Sequence, residues 1–216
     1  NVLTSRGCRF SCPYCFNSLY KSFYKGENFV RYRSVKNVID ELKALKKDYP
    51  TRFIFFQDDE ILSNPHFFEL MEEYRKKIHL PFHCQLRIEL AHPMKLIALK
   101  NSGCTGVTFA VECGNEKQRR TVLKRNMTDN QIINGATLLH RYGLKFRTEN
   151  MIGLPGETLE MMYETVELNK KLNPTIAWAS IFQPYPRLPL GEMAMENGYW
   201  DGDDAFMESF FEDTVL

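Results

Sequence analysis

Two hydrophobic patterns alternate along the chain. After Ser34, Val35, Val38, Ile39, Leu42 and Leu45 recur at helical spacing up to Pro50, so a capped amphipathic helix is predicted there. Arg52-Phe53-Ile54-Phe55-Phe56 follows as a run too short for a helix, the mark of a strand buried on both faces. The alternation repeats. Asn64-Pro65 opens a helix with Phe68, Met71 and Tyr74 to Ile78 as its stripe, with His66 facing solvent on its first turn. Phe82 to Ile88 reads as a strand, and a helix from Pro93 closes at Asn101-Ser102-Gly103.

Thr105 to Val111 is the next strand and delivers Glu112, Cys113 and Gly114. A charged connection leads to a capping box, Thr128-Asp129-Asn130-Gln131, and a helix lined by Ile132, Ile133, Ala136, Leu139 and Tyr142. Leu144 to Met151 and Thr175 to Phe182 read as two more strands, separated by a helix that follows Gly153-Leu154-Pro155-Gly156-Glu157-Thr158. A short helix ends near Gly198, and the acidic, aromatic stretch from Asp201 to Leu216 shows no partner.

With a strand at residues 1–5, this makes six strand-helix units. Each helix returns the chain to start another parallel strand, so the fold class is α/β, a partial TIM-type (β/α)6 barrel of parallel strands. In such barrels the site lies at the C-terminal strand ends. The acidic run Asp58-Asp59-Glu60, Glu112 and Gly153 all fall there.

Composition narrows the picture. Lys+Arg number 28 against Asp+Glu 27, a net charge of +1, which offers no global footprint for nucleic acid or an anionic membrane. Basic pairs such as Lys46-Lys47, Lys76-Lys77 and Arg119-Arg120 read as solvated faces. No apolar run is long enough to span a membrane and no signal peptide opens the chain, so a cytoplasmic location is expected. The chain starts at Asn1-Val2-Leu3, already inside a strand, as an excised part of a longer polypeptide would. The barrel is expected over residues 1–200, with 201–216 beginning a C-terminal extension.

The chemistry concentrates in Cys8, Cys12 and Cys15, three of the six cysteines, at CxxxCxxC spacing. Thiolate selects zinc or iron-sulfur clusters. A structural zinc site, which would make the chain a metal-binding interaction module, wants a fourth Cys or His nearby. The first histidine is His66. A four-iron cubane on three cysteines keeps one iron open for a small molecule. Cys84, Cys104 and Cys113 are read as buried apolar groups.

Cys8, Cys12, Tyr14 and Cys15, with the strand-helix order and the Gly153 to Thr158 turn, resemble the radical S-adenosylmethionine (SAM) superfamily. The resemblance implies a [4Fe-4S] cluster that cleaves SAM reductively to a 5'-deoxyadenosyl radical. It further implies a reductant such as flavodoxin or ferredoxin. By position, Asp58 and Asp59 match the motif that contacts the SAM amino group, Glu112 the residue on the ribose hydroxyls, and Arg125 a partner of the SAM carboxylate. Tyr14 is the motif aromatic, and the Ile152 and Gly153 backbone approaches adenine.

Thr4-Ser5-Arg6-Gly7-Cys8, Arg31-Tyr32-Arg33-Ser34, Phe56-Gln57-Asp58-Asp59 and Pro184-Tyr185-Pro186 resemble the group that carries a cobalamin-binding domain before the barrel. That implies cobalamin, bound by a domain outside this chain, and methyl transfer or rearrangement on an unactivated carbon of a small-molecule or peptide substrate. RNA methylthio transfer shares the Thr-Ser-Arg-Gly-Cys opening, but the strand-two residues and near-neutral charge point away from it and from a nucleic-acid partner.

Overall fold

A computed structural model describes residues 1–24, 27–203 and 210–211. Five parallel strands form its sheet: β3 (Ile54–Phe56), β4 (Phe82–Gln85), β5 (Cys104–Glu112), β6 (Lys145–Ile152) and β7 (Ile176–Ile181), hydrogen-bonded in that order. The expected first strand contracts to one parallel bridge between Val2 and Phe56. Val2 N donates to Phe55 O and Val2 O accepts from Gln57 N, both at 2.9 Å. This extends the sheet to the sixth position of the partial barrel. Beyond it, β1 (Ser5–Arg6) and β2 (Arg31–Tyr32) pair antiparallel and carry the chain over the rim.

Helices α2 (Val35–Asp48), α3 (Phe67–Lys77), α4 (Pro93–Asn101), α6 (Asp129–Arg141) and α7 (Leu159–Leu172) are the crossovers. Their ends follow the side chains. Ser34 caps α2 through Asn37 N, the Thr128–Gln131 capping box starts α6, and Thr158 caps α7. One core fills the space between sheet and helices, with Val38, Leu42, Phe56, Tyr74, Phe82, Val107, Leu139 and Phe146 all buried. Each such side chain contributes roughly 1.5–3 kcal/mol relative to exposure.

Several expectations change. A helix that the pattern did not announce, α1 (Phe16–Phe23), follows the cysteines. The connection after Glu112 contains a further helix, α5 (Glu116–Thr121). β3 is buried on one face, through Ile54 and Phe56, while Phe53 and Phe55 face the barrel interior and stay partly exposed. Phe55 stacks there on His83, and His83 bonds Thr108 Oγ1 at 2.8 Å. α8 (Pro189–Glu196) returns over the cysteine loop. Of the acidic tail, Phe210 O accepts from Ile181 N and Phe211 packs on Trp178, so this stretch does find a partner on β7. Residues 204–209 and 212–216 lie outside the described residues.

Candidate cluster and SAM site

The cysteine loop hangs between β1 and α1, and three local devices shape it. Gly7 turns the chain with φ +81, and a Cβ there would stand 2.7 Å from Phe29 O, so only glycine fits. Cys15 N bonds back to Cys12 O at 3.0 Å, and Cys15 then caps α1 in extended conformation. Lys21 Nζ, one turn into the helix, donates to Arg9 O, Phe10 O and Ser11 Oγ. α8 supports the loop from above through Leu190 N to Pro13 O, 3.1 Å.

All three thiols open onto one pocket of about 190 Å³. Its other walls include Phe10, Tyr14, Asn17, Asp59, Gln85, Arg87, Thr108, Glu112, Arg125 and Glu149. The strand ends β3 to β6 therefore meet the loop at the C-terminal mouth of the barrel. A wider depression of about 850 Å³, edged by Arg6, Tyr20, Phe23, Tyr24 and Arg31, adjoins it through Asn17 and Asp59. Other large surface depressions, such as the one between α3 and α4, lie away from the cysteines.

The neighbouring carboxylates separate by role. Asp58 is buried, and its carboxylate is occupied by the cysteine strand: it accepts from Thr4 N, Thr4 Oγ1 at 2.8 Å and Ser5 Oγ at 2.5 Å. Asp58, expected to meet SAM, is placed with its oxygens on Thr4 and Ser5, and it does not line the pocket. Glu60 turns away as well and caps the turn at Ile61–Ser63 through Leu62 N and Ser63 N. Asp59 is the acid of this run that reaches the pocket. Burial pushes its carboxyl up, with a hydrogen bond from Asn17 opposing.

Glu112 ends β5 in a left-handed conformation, φ 67, at a shift in the β5–β6 register. Backbone strain of this kind costs of order 1–3 kcal/mol and clusters at functional sites. The carboxylate accepts from Tyr14 OH at 2.8 Å, and Arg125 Nη1 stands 3.8 Å from it and donates to Tyr14 OH at 3.1 Å. Burial raises the Glu112 pKa above its usual value, while Arg125 and the Tyr14 hydroxyl oppose the shift. Arg125 Nη2 is anchored on Ala110 O at 2.7 Å, but its buried Nε has no partner.

Ile152 and Gly153 lie at the end of β6, yet neither lines the cysteine pocket. The Ile152 side chain points to the outer face, toward α7. Glu157 accepts from Leu154 N at 3.1 Å and also holds Gly153 N, so the Gly153 to Thr158 turn is fixed by its own carboxylate. Cys113 Sγ in turn contacts Glu157, which ties this turn to the end of β5.

The donor set fits a cluster. The three thiols are free cysteines around a common pocket. Burial pushes the Cys8 and Cys15 thiols up, with hydrogen bonds at Phe10 and Asn17 opposing and Asp59 and the neighbouring thiols adding to the rise. Polar donors already point at the sulfurs: Asn17 Nδ2 at 3.7 Å from Cys15 Sγ and Arg87 Nη1 at 3.6 Å from Cys12 Sγ. Among the described residues, no three His, Cys, Asp or Glu side chains are grouped to hold a single metal ion. Three thiols lining one pocket are the residues that would hold a four-iron cluster.

Two contributors escaped the sequence reading. Arg119, read as half of a solvated basic pair, is fully buried. It donates to Cys113 O at 2.7 Å, Met127 O at 3.1 Å and Asp129 Oδ1 at 2.5 Å, and so clamps the loop that carries Arg125. The sequence offers only its place in the charged connection after Glu112. Arg87, inside the stretch from Phe82 to Ile88 read as a strand, reaches Cys12.

Comparison with known proteins agrees with this geometry. The family model of the radical SAM superfamily matches residues 2–168. An uncharacterized methyltransferase of Pyrococcus horikoshii is 29% identical over 199 residues, covering 91% of this chain and 42% of that protein. The anaerobic magnesium-protoporphyrin IX monomethyl ester cyclase of Rubrivivax gelatinosus is 27% identical over 186 residues, covering 84% and 32%. The chain thus spans less than half the length of these relatives. Among solved structures, the radical SAM methyltransferase TsrM of Kitasatospora setae, with cobalamin and a [4Fe-4S] cluster bound, superposes with a TM-score of 0.77 at 20% identity, covering 91% of this chain and 36% of that one. The motif, the barrel and the family match agree: this chain belongs to the radical SAM superfamily, enzymes that use a [4Fe-4S] cluster and SAM.

Proposed function

We propose that this chain is the catalytic barrel of a cobalamin-assisted radical SAM methyltransferase acting on an unactivated carbon. The observation that carries the catalytic part is the convergence of Cys8, Cys12, Cys15, Asp59, Glu112 and Arg125 on one pocket at the barrel mouth. When bound, the cluster supplies one-electron chemistry on SAM. The chain's own groups orient the SAM molecule. Asp59 would hold its amino group, Arg125 would offer a buried guanidinium to its carboxylate, and Glu112, held by Tyr14, would accept from its ribose hydroxyls. Asp58 stays out of the ligand shell and keeps the cysteine strand in place. The backbone after Ile152 remains the candidate for adenine.

Methyl transfer draws its support from the relatives, since the Pyrococcus protein is named a methyltransferase and the TsrM structure holds cobalamin. The substrate is a small molecule or peptide, and the reductant a flavodoxin or ferredoxin. Among the described residues, no helix is long and apolar enough to cross a membrane. The test uses the full-length protein with cobalamin and SAM labelled in its methyl group. Label appearing on cobalamin supports the reading. If 5'-deoxyadenosine forms while the label is found only in the methionine released from SAM, the methyltransferase reading fails and the radical SAM assignment stands.

A further inference from the structure

Cys12 differs from the other two cysteines in what surrounds its sulfur. Arg87, two residues beyond β4, directs Nη1 at Cys12 Sγ from 3.6 Å. Arg125 Nη1 stands 4.0 Å away on the same sulfur. Cys15 receives a neutral amide from Asn17 instead. Two guanidiniums, one following β4 and one on the loop after α5, thus meet one sulfur.

Arg87 has little freedom to point elsewhere. Its guanidinium carbon lies 3.8 Å from the centroid of the Phe10 ring, inside the cysteine loop itself. On its other edge Nε and Nη2 pair with Glu89 Oε1 at 2.6 Å and 2.5 Å. Both side chains are largely buried, and Glu89 Oε2 is buried without a partner. A cation held in a dry place costs desolvation that a surface position avoids. One pair to Glu89 alone does not explain why the fork is stacked on Phe10 and turned toward sulfur.

We propose that Arg87 is a positioning residue that sets the reduction potential of the cluster through Cys12. An electron entering the cluster makes it more negative, and a fixed cation against one thiolate stabilises that reduced form, so the potential rises. Glu89 partly cancels the charge and trims the effect. The electron itself comes from an external one-electron carrier, and Arg87 alters only how readily the cluster accepts it. The inference rests on the cluster assignment above, but not on what the enzyme does to its substrate.

The test is a potentiometric titration followed by electron paramagnetic resonance, on the full-length protein reconstituted anaerobically, without SAM, using titanium(III) citrate as reductant. Arg87→Met is expected to make cluster reduction at least tenfold less favourable, about 59 mV more negative for one electron. Arg87→Lys should fall between Met and wild type. Glu89→Gln, which keeps the hydrogen bond and removes the charge, should move the potential in the opposite direction. A merely structural role predicts no such opposition. Should Arg87→Met fail to hold iron, the Glu89→Gln shift decides alone. Wild-type midpoints in every loaded variant overturn the proposal, whereas a wild-type protein with no four-iron signal overturns the cluster reading with it.

Discussion

The carboxylate of Asp58 receives both the backbone N–H and the hydroxyl of Thr4, 54 residues earlier in the chain. This joins the end of β3 to the strand that launches the cysteine loop, while Asp59 beside it faces the pocket. The two neighbours should therefore fail differently. Asp58→Asn replaces one acceptor with a donor facing Thr4 and Ser5, at a cost of about 1–3 kcal/mol, read by chemical denaturation. Asp59→Asn should leave stability within about 0.5 kcal/mol and weaken SAM binding instead, read by calorimetry. The reverse pattern would return the ligand role to Asp58.

Glu112 carries a pH signature. Burial raises its pKa above 4.5, so the folded state holds its proton more tightly than the unfolded chain. Its contribution to stability is complete below 4.5 and is lost as pH rises through the folded value. Glu112→Gln has no such titration. Relative to wild type it should gain stability between acid and neutral pH, while SAM affinity falls roughly tenfold to a hundredfold, as expected for a hydrogen bond to a charged group. Thermal unfolding at several pH values checks the first part and calorimetry the second.

Arg119 is the clamp behind Arg125. Arg119→Met would strand Cys113 O and Met127 O in a dry interior and remove the pair to Asp129. A loss of about 3–5 kcal/mol follows. Denaturant titration should show it, with hydrogen exchange rising first between residues 113 and 129.

Gly7 should be intolerant of any side chain, because its positive φ coincides with the close approach of Phe29 O. Gly7→Ala is expected to cost about 1–3 kcal/mol and to lower the iron bound per chain, measured by metal analysis after reconstitution. Full iron content would show that the loop reshapes freely.

Much of this was legible in the sequence because periodicity and caps act locally. Ser34, Thr128 and Thr158 announced α2, α6 and α7, and the cysteine spacing announced the loop. What escaped depends on contacts distant in the chain. Nothing local distinguishes Asp58 from Asp59, since one sits against Thr4 and the other across from Cys15 only after the barrel closes. Arg119 and Arg120 look alike in sequence, but α5 turns one inward and the other to solvent. The first strand shrank to Val2 because its remaining residues bend away to pair with Arg31 and Tyr32.

The central claim, a SAM-cleaving cluster on Cys8, Cys12 and Cys15, is tested most directly by anaerobic reconstitution with iron and sulfide followed by reduction in the presence of SAM. Wild type should bind four irons and release 5'-deoxyadenosine, and Cys12→Ala should release none. Full SAM cleavage by Cys12→Ala, or a wild-type protein that takes up a single zinc ion and leaves SAM intact, would contradict it.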